Sequence, residues 1–221
     1  MRFASLFFDF DSTIVDVETL DLLAEIALDG NPDQAKLLSE IKETTRLGME
    51  GRIPFTESLT LRMGLIAPRK EHVSALAGML VDHISPSFLD NIDFFKKHRD
   101  CTYILSGGFE EVIFPVAEHL GIPRDHVFAN TLTYDGRGNA TGVDTSRPLA
   151  QPLGKALQIE RLGARRPRII VGDGYTDYEV KEHGAADTFV AYVEHARRES
   201  VIAGADFVAH SFRDLLSYLE G

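Results

Sequence analysis

Two pairs of aspartates, Asp9 with Asp11 and Asp173 with Asp177, have the residue types and spacing best suited to catalysis in this 221-residue chain. Each pair follows a short apolar run that is typical of a buried strand. If both strands lie in one parallel sheet, the pairs meet at its carboxyl edge, where open α/β folds bind ligands. Four carboxylates in one crevice repel one another, and a hard divalent cation with oxygen ligands would relieve that repulsion. The sequence therefore predicts a metal site, with Mg²⁺ as the expected ion.

The first pair suits a division of labour in phosphoryl transfer. Side chains two residues apart at a strand end point the same way, so Asp9 and Asp11 can face one crevice while Phe10 turns to the core. Asp9 is predicted to attack phosphorus and form an aspartyl phosphate. Asp11 is predicted to protonate the leaving oxygen and later to take a proton from the hydrolysing water. Capping of a turn by both aspartates is the alternative interpretation.

Two further segments offer groups that could bind a phosphate. Ser106 and Gly107 follow an apolar run and precede a helical pattern, so the Ser106 hydroxyl and the Gly107 N–H are expected to hold phosphate oxygens at a helix N-terminus. An ordinary strand-to-helix turn explains the same residues. Lys155 lies at the start of a predicted helix, where the dipole slightly disfavours a cation. It is either solvated there or neutralises both the phosphate and Asp9.

The second aspartate pair lies among glycines. Gly172 and Gly174 let the backbone pass close to an ion, and Asp173 supplies an oxygen ligand. Asp177 is better placed to hold a metal-bound water or to orient Lys155. The two aspartates of this pair therefore have different predicted roles.

Apolar runs alternate with helical patterns over most of the chain, which predicts an α/β fold with a doubly wound parallel sheet. Residues 18–81 are purely helical in pattern, and turn signals divide them into about four helices. We therefore predict a catalytic core of residues 1–15 and 82–221, with a helical cap of residues 16–81 inserted after the first strand. The predicted strands of the sheet are 3–8, 102–105, 168–171, 188–191 and 206–208.

Several local elements are also predicted from pattern alone. One helix is expected over about 86–98, and another over 109–120 with a kink or an early turn at Pro115. Residues 127–134 and 139–143 flank an Asp-Gly-Arg-Gly turn and are predicted to form a hairpin. The remaining predicted helices are 153–162 and 212–219.

The bulk composition narrows the possible partners. A net charge of −11 argues against a broad nucleic-acid-binding surface. No signal-peptide pattern and no apolar run of bilayer length is seen, so neither secretion nor a membrane partner is expected. Cys101 is the single cysteine and cannot form an internal disulfide. We expect a cytoplasmic protein whose partner is a small phosphomonoester, while the sequence does not indicate an oligomeric state.

The order of these motifs resembles the haloacid dehalogenase superfamily of phosphotransferases. The motifs are D-F-D-S-T from Asp9, S-G-G-F from Ser106, the helix-opening Lys155, and G-D-G-x-x-D from Gly172. Within the superfamily the chain is similar to the phosphoserine phosphatases over essentially its whole length. The resemblance implies a Rossmann-like core, a small four-helix cap inserted after the first strand, and Mg²⁺ dependence. It also implies that Asp9 and Asp173 bind the metal through carboxylates and Asp11 through its backbone carbonyl.

The resemblance also implies a substrate. Glu18 matches the glutamate that phosphoserine phosphatases place on the substrate ammonium, and Arg62 matches the arginine whose fork clamps the carboxylate. A helix N-terminus suits Glu18 as well, and Arg62 could be a solvated helix residue. Thr176 stands where many relatives carry asparagine, and its hydroxyl can still bond a phosphate oxygen. Tyr175 replaces a small residue and is expected to narrow the pocket mouth.

The implied activity is Mg²⁺-dependent hydrolysis of a phosphomonoester through an aspartyl phosphate, with O-phosphoserine of L-serine biosynthesis as the leading substrate. A phosphatase or phosphotransferase acting on phosphohomoserine, phosphoethanolamine or a sugar phosphate is the alternative. A non-catalytic phosphoryl-binding module such as a response-regulator receiver is a third interpretation. Receivers lack a helical cap and an acid at the Asp11 position, so retention of Asp11 counts against it.

Overall fold

The computed structural model describes residues 2–221 and contains a six-stranded sheet and a separate two-stranded sheet. The strands in chain order are β1 (Ser5–Phe8), β2 (Thr102–Phe109), β3 (Val127–Asn130), β4 (Leu132–Tyr134), β5 (Ala140–Val143), β6 (Arg168–Gly172), β7 (Thr188–Tyr192) and β8 (Phe207–Ala209).

Helices connect and cover these strands. The α-helices are α1 (Thr19–Ala27), α2 (Gln34–Met49), α3 (Phe55–Ile66), α4 (Lys70–Met79), α5 (Pro86–Leu89), α6 (Ile92–Lys97), α7 (Glu110–Leu120), α8 (Gly154–Leu162), α9 (Tyr175–Glu182), α10 (Glu199–Ile202) and α11 (Phe212–Glu220). Short 3₁₀ turns lie at Leu80–His83, Arg99–Cys101, Arg124–His126 and Pro148–Ala150. Within residues 2–221, none of these helices is both long and apolar enough to cross a bilayer.

The six-stranded sheet is parallel throughout and has the order β3-β2-β1-β6-β7-β8. The chain builds outward from β1 on one side and from β6 on the other, so the strand order reverses between these two central strands. That reversal opens a crevice at the carboxyl ends, the usual ligand site of a doubly wound sheet. Phe8, the last residue of β1, is level with Ile104 of β2 and Val171 of β6. The predicted α/β class with a doubly wound parallel sheet is confirmed.

The central strand β1 is apolar because both of its faces are covered. Leu6 and Phe8 pack into one apolar cluster, and Phe7 packs into a second cluster. This alternation follows the two-residue period of a strand. Each such side chain contributes roughly 1.5–3 kcal/mol when it is fully buried. A rigid central strand therefore positions the residues that follow it.

The helices α1 to α4 lie between β1 and β2 in the chain and form what we call the helical insert, residues 19–79. The chain leaves and re-enters the β/α region through an antiparallel bridge between Val15 and Ile84. At the far end, the Lys70 N–H donates to the Gly138 carbonyl, and the Ala140 N–H donates to the Pro68 carbonyl, both over 2.9 Å. The insert contains the four helices α1 to α4, and the sequence predicted about four helices over residues 18–81. The division into a core and a cap at residues 15/16 and 81/82 stays a prediction.

Two local predictions were wrong. The helix expected over 86–98 is two short helices, α5 and α6, because the Asn91 side-chain amide donates to the Ser87 carbonyl over 2.8 Å and competes with the helical pattern. Residues 127–130 are an edge strand of the large sheet, and the hairpin is limited to β4 and β5. The helix predicted over 109–120 is present as α7, which continues through Pro115 to Leu120, and the kink at Pro115 stays a prediction. In addition, β2 is longer than predicted because Ser106–Phe109 continue its pairing.

Candidate active site

A cavity of about 130 Å³ lies between the carboxyl edge of the sheet and the helical insert. Asp9, Asp11 and Lys155 line it on the sheet side, and Arg62 of the insert and Glu18, directly before the insert, line it on the other side. The sequence motifs that were predicted to act together therefore converge on one space. Other lining residues include Met49, Phe55, Thr56, Gly107, Gly108, Leu149, Gln151, Thr176 and Glu179.

Three buried carboxylates form an acidic cluster beside this cavity. Carboxylate oxygens of Asp9, Asp173 and Asp177 all lie within 4.8 Å of one another. The Lys155 Nζ lies 2.7 Å from Asp9 Oδ1 and 2.7 Å from Asp177 Oδ1. Burial lowers the pKa of Lys155, but the two carboxylates outweigh burial and leave this pKa raised. Lys155 is therefore held as a cation against Asp9, and Asp177 fixes it from the other side.

Asp11 has a different environment from Asp9. The Thr19 backbone N–H donates to Asp11 Oδ1, and the Thr19 hydroxyl donates to Oδ2, each over 3.1 Å. Burial, followed by the charges of Glu18 and Asp9, raises the pKa of Asp11 well above its ordinary value, while the Thr19 bonds act in the opposite direction. The environment therefore favours the protonated form of Asp11, which is the form that a general acid needs.

The Ser106–Gly108 segment lies at the end of β2 and not at the start of a helix. The Ser106 hydroxyl oxygen accepts a bond from the Gly108 N–H over 2.9 Å. Gly107 and Gly108 line the cavity, whereas Ser106 is buried and is not a lining residue. A Cβ on Gly107 would lie 2.2 Å from Phe55 Cζ, so only glycine allows the insert to approach this closely.

Glu18 lies where α1 begins and is partly buried among polar partners. The Ser12 hydroxyl donates to Glu18 Oε1 over 2.8 Å, and Nη2 of Arg198 lies 3.2 Å from the same oxygen. No hydrogen bond to Oε2 is found within residues 2–221. Burial raises the pKa of Glu18, and Arg198 opposes that rise. Glu18 therefore has one carboxylate oxygen to offer to a ligand.

Arg62 lies in α3, is only 4% exposed, and faces the cavity. Its Nε donates to the Ser58 carbonyl over 3.3 Å, and its Nη1 donates to the Thr45 hydroxyl over 3.2 Å. Both acceptors are neutral, and Arg62 forms no ion pair with any of residues 2–221. Burial lowers its pKa, against the raising effects of Glu18, Asp21 and Asp11. A buried cation without a contacting anion favours the binding of one.

Helix α9 brings two of its first residues, Thr176 and Asp177, to the site. Thr176 lines the cavity, and Asp177 Oδ2 accepts a bond from the Gly174 N–H over 3.1 Å. Tyr175 points to the insert instead, because a Cβ on Gly51 would lie 2.5 Å from its ring. Tyr175 also lines a neighbouring pocket, beside the loop that joins α2 to α3.

Arg198 is the site residue that sequence reasoning missed. Its guanidinium contacts the Asp173 carboxylate, and it donates to the Asp173 carbonyl over 3.3 Å as well as to Glu18. Arg198 lies between β7 and α10, in a segment with no recognisable motif. An Arg-Arg-Glu segment is most often a solvated surface segment, so nothing in its local pattern marked it as a site residue.

The acidic cluster fits a hard divalent cation. Its donors are all carboxylate oxygens, which suit Mg²⁺. Burial and the charge of Asp9 raise the pKa of Asp177 to about 7, so these carboxylates disfavour one another's charge and one further cation would be favourable here. The predicted ligands Asp9 and Asp173 are in this cluster, and Asp11 lies beside it.

Comparison with known proteins identifies the family. The model of the haloacid dehalogenase-like hydrolases matches residues 6–181, which is most of the chain. The chain belongs to this family. It is 33% identical over 218 residues to the chloroplastic phosphoserine phosphatase of Arabidopsis thaliana, covering 96% of this chain and 70% of that protein. The protein is accordingly a phosphomonoester hydrolase.

Solved structures of this hydrolase family have the same fold. A phosphoserine phosphohydrolase-like protein from Francisella tularensis superposes with a TM-score of 0.88 at 32% identity, covering 97% of this chain and 98% of that one. A phospho-aspartyl intermediate analogue of phosphoserine phosphatase superposes with a TM-score of 0.75 at 26% identity, with 99% of both chains covered. The Rossmann-like description of the fold is thereby confirmed.

Proposed function

We propose that this hydrolase removes the phosphate of O-phosphoserine, in a Mg²⁺-dependent reaction that passes through an aspartyl phosphate on Asp9. The observation that carries the substrate assignment is Arg62, a buried guanidinium that faces the cavity and contacts no carboxylate of residues 2–221. A substrate carboxylate would supply the missing anion and form a bidentate pair with the Arg62 guanidinium. Relatives named as phosphoserine phosphatases support the same assignment.

In this proposal the chemistry uses side chains at the sheet end of the cavity. Asp9 attacks phosphorus while Lys155, held 2.7 Å away, offsets the charge of the transferred phosphoryl group. Asp11 gives its proton to the departing serine oxygen, and it then accepts a proton from the water that hydrolyses the aspartyl phosphate. The raised pKa of Asp11 suits the first of these two tasks.

The proposed metal ligands are the Asp9 and Asp173 carboxylates and the Asp11 carbonyl. When bound, Mg²⁺ would lower the repulsion between these carboxylates and the phosphate. Asp177 is proposed to fix Lys155, which it contacts over 2.7 Å. Ser106, Gly107 and Thr176 are proposed to bind phosphate oxygens.

The other end of the cavity is proposed to recognise the amino-acid part of the substrate. Glu18 would accept the ammonium group through Oε2, and Arg62 would hold the carboxylate. Opposite charges at one end of a cavity discriminate between a zwitterion and a substrate that lacks one of its charges.

Phosphate release from four substrates, with and without Mg²⁺, tests this proposal. The substrates are O-phosphoserine, phosphohomoserine, phosphoethanolamine and glucose 6-phosphate. We expect O-phosphoserine to have the highest kcat/KM and activity to depend on added Mg²⁺. Arg62→Ala should weaken transition-state binding of O-phosphoserine by roughly 2–5 kcal/mol, which is measured as a fall in kcat/KM. It should leave kcat/KM for phosphoethanolamine nearly unchanged.

An equal loss on both substrates would rule out the carboxylate clamp. A higher kcat/KM for another member of the panel would replace O-phosphoserine with that compound. Full activity in a chelator-treated sample would rule out the metal dependence.

A further inference from the structure

Thr45, in α2, connects Arg62 to a carboxylate that the catalytic proposal does not use. Its hydroxyl oxygen accepts a bond from Arg62 Nη1 over 3.2 Å and lies 2.7 Å from Asp21 Oδ1. Thr45 is 4% exposed, so water does not compete freely for these bonds. The three residues lie on three different helices, α1, α2 and α3.

The single proton of the Thr45 hydroxyl has two possible acceptors. One is Asp21 Oδ1 at 2.7 Å, and the other is the Ile41 carbonyl at 3.1 Å. The carboxylate is nearer, and charge-assisted hydrogen bonds are the stronger ones. The proton therefore points to Asp21, and the lone pairs of the hydroxyl oxygen remain directed at Arg62.

This arrangement fixes one side of the guanidinium and leaves the other side free. Nε is bound to the Ser58 carbonyl and one Nη1 proton to Thr45. No hydrogen bond from Nη2 is found in the described part of the chain, residues 2–221. The second Nη1 proton and both Nη2 protons can therefore form a fork towards the cavity.

We propose that Thr45 is a positioning residue for substrate recognition, in which its Asp21-bound hydroxyl holds the Arg62 fork in the orientation that receives the substrate carboxylate. This inference rests on the proposed function, since it assumes that Arg62 binds a carboxylate. Thr45 does not touch the substrate and acts only through Arg62.

The test compares Thr45→Val with Thr44→Val on O-phosphoserine and phosphoethanolamine. Thr44 is a matched control because it is the adjacent residue of α2, and its hydroxyl donates to the Glu40 carbonyl over 2.8 Å at the exposed surface. Thr45→Val should lower kcat/KM for O-phosphoserine about tenfold, as expected for a lost bond to a charged group. Its effect on phosphoethanolamine and the effects of Thr44→Val should stay within about twofold.

Two further variants make the result decisive. Thr45→Ser restores the hydroxyl and should recover most of the loss, and Thr45→Ala carries the same expectation as Thr45→Val if valine impairs folding. Equal losses on both substrates, or no loss on either, would overturn the positioning role. Failure of the proposed function would look different, because Arg62→Ala itself would then fail to discriminate between the two substrates.

Discussion

Each end of the candidate active-site cavity holds a buried cation, but the two cations have different partners. At the sheet end, Lys155 contacts Asp9 and Asp177 over 2.7 Å each. At the insert end, Arg62 is equally buried, yet it donates only to the neutral oxygens of Ser58 and Thr45. The cation of the sheet end is therefore paired by its own neighbours, whereas the cation of the insert end contacts no anion among residues 2–221 and can receive one from a ligand.

Under the proposed function, this difference separates chemistry at the sheet end from substrate recognition at the insert end. A phosphate site whose cation is already fixed loses little free energy to reorganisation when the phosphoryl group is transferred. A buried guanidinium that lacks an anion gains most from a ligand that brings one. Changes at the sheet end should therefore affect all substrates, whereas changes at the insert end should affect some substrates more than others.

The largest effect that would test this comparison is expected from Lys155→Met. The change leaves two buried carboxylates without the cation that contacts both. We expect kcat/KM to fall about 10²–10³-fold on every phosphomonoester, and the free energy of unfolding to fall by about 3–5 kcal/mol without metal. Phosphate release and urea unfolding measure the two losses.

Lys42→Met is the matched control, because Lys42 pairs with Glu25 over 3.0 Å at the exposed surface. It should change stability by about 0.5 kcal/mol or less. A loss for Lys155→Met that is as small as this one would mean that the sheet end does not depend on its internal ion pairs.

A smaller effect is expected where the insert meets the sheet end. Gly51 has φ +72° and a Cβ there would lie 2.5 Å from the Tyr175 ring, whereas Gly30 has φ +75° with nothing within 4 Å. Both Gly→Ala changes carry a left-handed backbone cost of about 1 kcal/mol. Only Gly51→Ala should also shift the insert and lower kcat/KM, by about tenfold.

The double variant Gly51→Ala/Tyr175→Ala separates the backbone cost from the clash with the Tyr175 ring. Because the ring is absent, the double variant should have much higher kcat/KM than Gly51→Ala alone. Steady-state kinetics on O-phosphoserine provide the comparison. Equal kcat/KM values for Gly30→Ala and Gly51→Ala would show that the Tyr175 contact does not hold the insert.

The smallest effect concerns the stability of the insert. Burial raises the pKa of Asp21, opposed by the Thr45 bond and by Arg62 and Lys42, while Glu25 adds to the rise. The pKa of Asp21 is higher in the folded state than in the unfolded state. Its contribution to the free energy of unfolding is therefore complete below about pH 4 and is lost as the pH rises through the folded-state pKa. Asp21→Asn should therefore be more stable than wild type at neutral pH, by about 1 kcal/mol or less.

Urea unfolding at pH 7 and pH 4 checks this sign. The difference between Asp21→Asn and wild type should shrink as the pH falls, since the wild-type carboxyl then takes up its proton. A variant that is less stable at neutral pH would show that the Asp21 charge stabilises the insert, and the contrast between the two ends would be weaker.

Much of the site was predictable because its residues lie next to regular elements. Asp9 and Asp173 directly follow strands whose apolar runs are clear in the sequence, and parallel pairing of β1 with β6 brings them together. The helices of the insert were predictable from their 3.6-residue period. Ser106 was expected at the N-terminus of a helix, but β2 continues through it and buries its side chain.

The remaining features depend on contacts that no local pattern records. Arg198 reaches Glu18 across 180 positions of the chain, and its approach depends on the path of the segment after β7. Residues 127–130 have the same strand pattern whether they pair in a hairpin or at a sheet edge, and the register with Ile104 decided between the two. Arg62 has no ion-pair partner among residues 2–221, and this too depends on how α3 packs against α2 and not on the local sequence.

The measurement that tests the central claim most directly is a burst experiment with p-nitrophenyl phosphate. This substrate has neither a carboxylate nor an ammonium group, and its leaving group departs without a proton donor, so it reports on the sheet end alone. With Asp11→Asn we predict a burst of one p-nitrophenolate per enzyme, with one phosphoryl group on the peptide that contains Asp9, and no burst when Asp9→Asn is added. The account would be contradicted if the wild type turns over this substrate while Asp11→Asn carries its phosphoryl group on another residue. It would also be contradicted if the wild type turns over and Asp11→Asn is not phosphorylated at all.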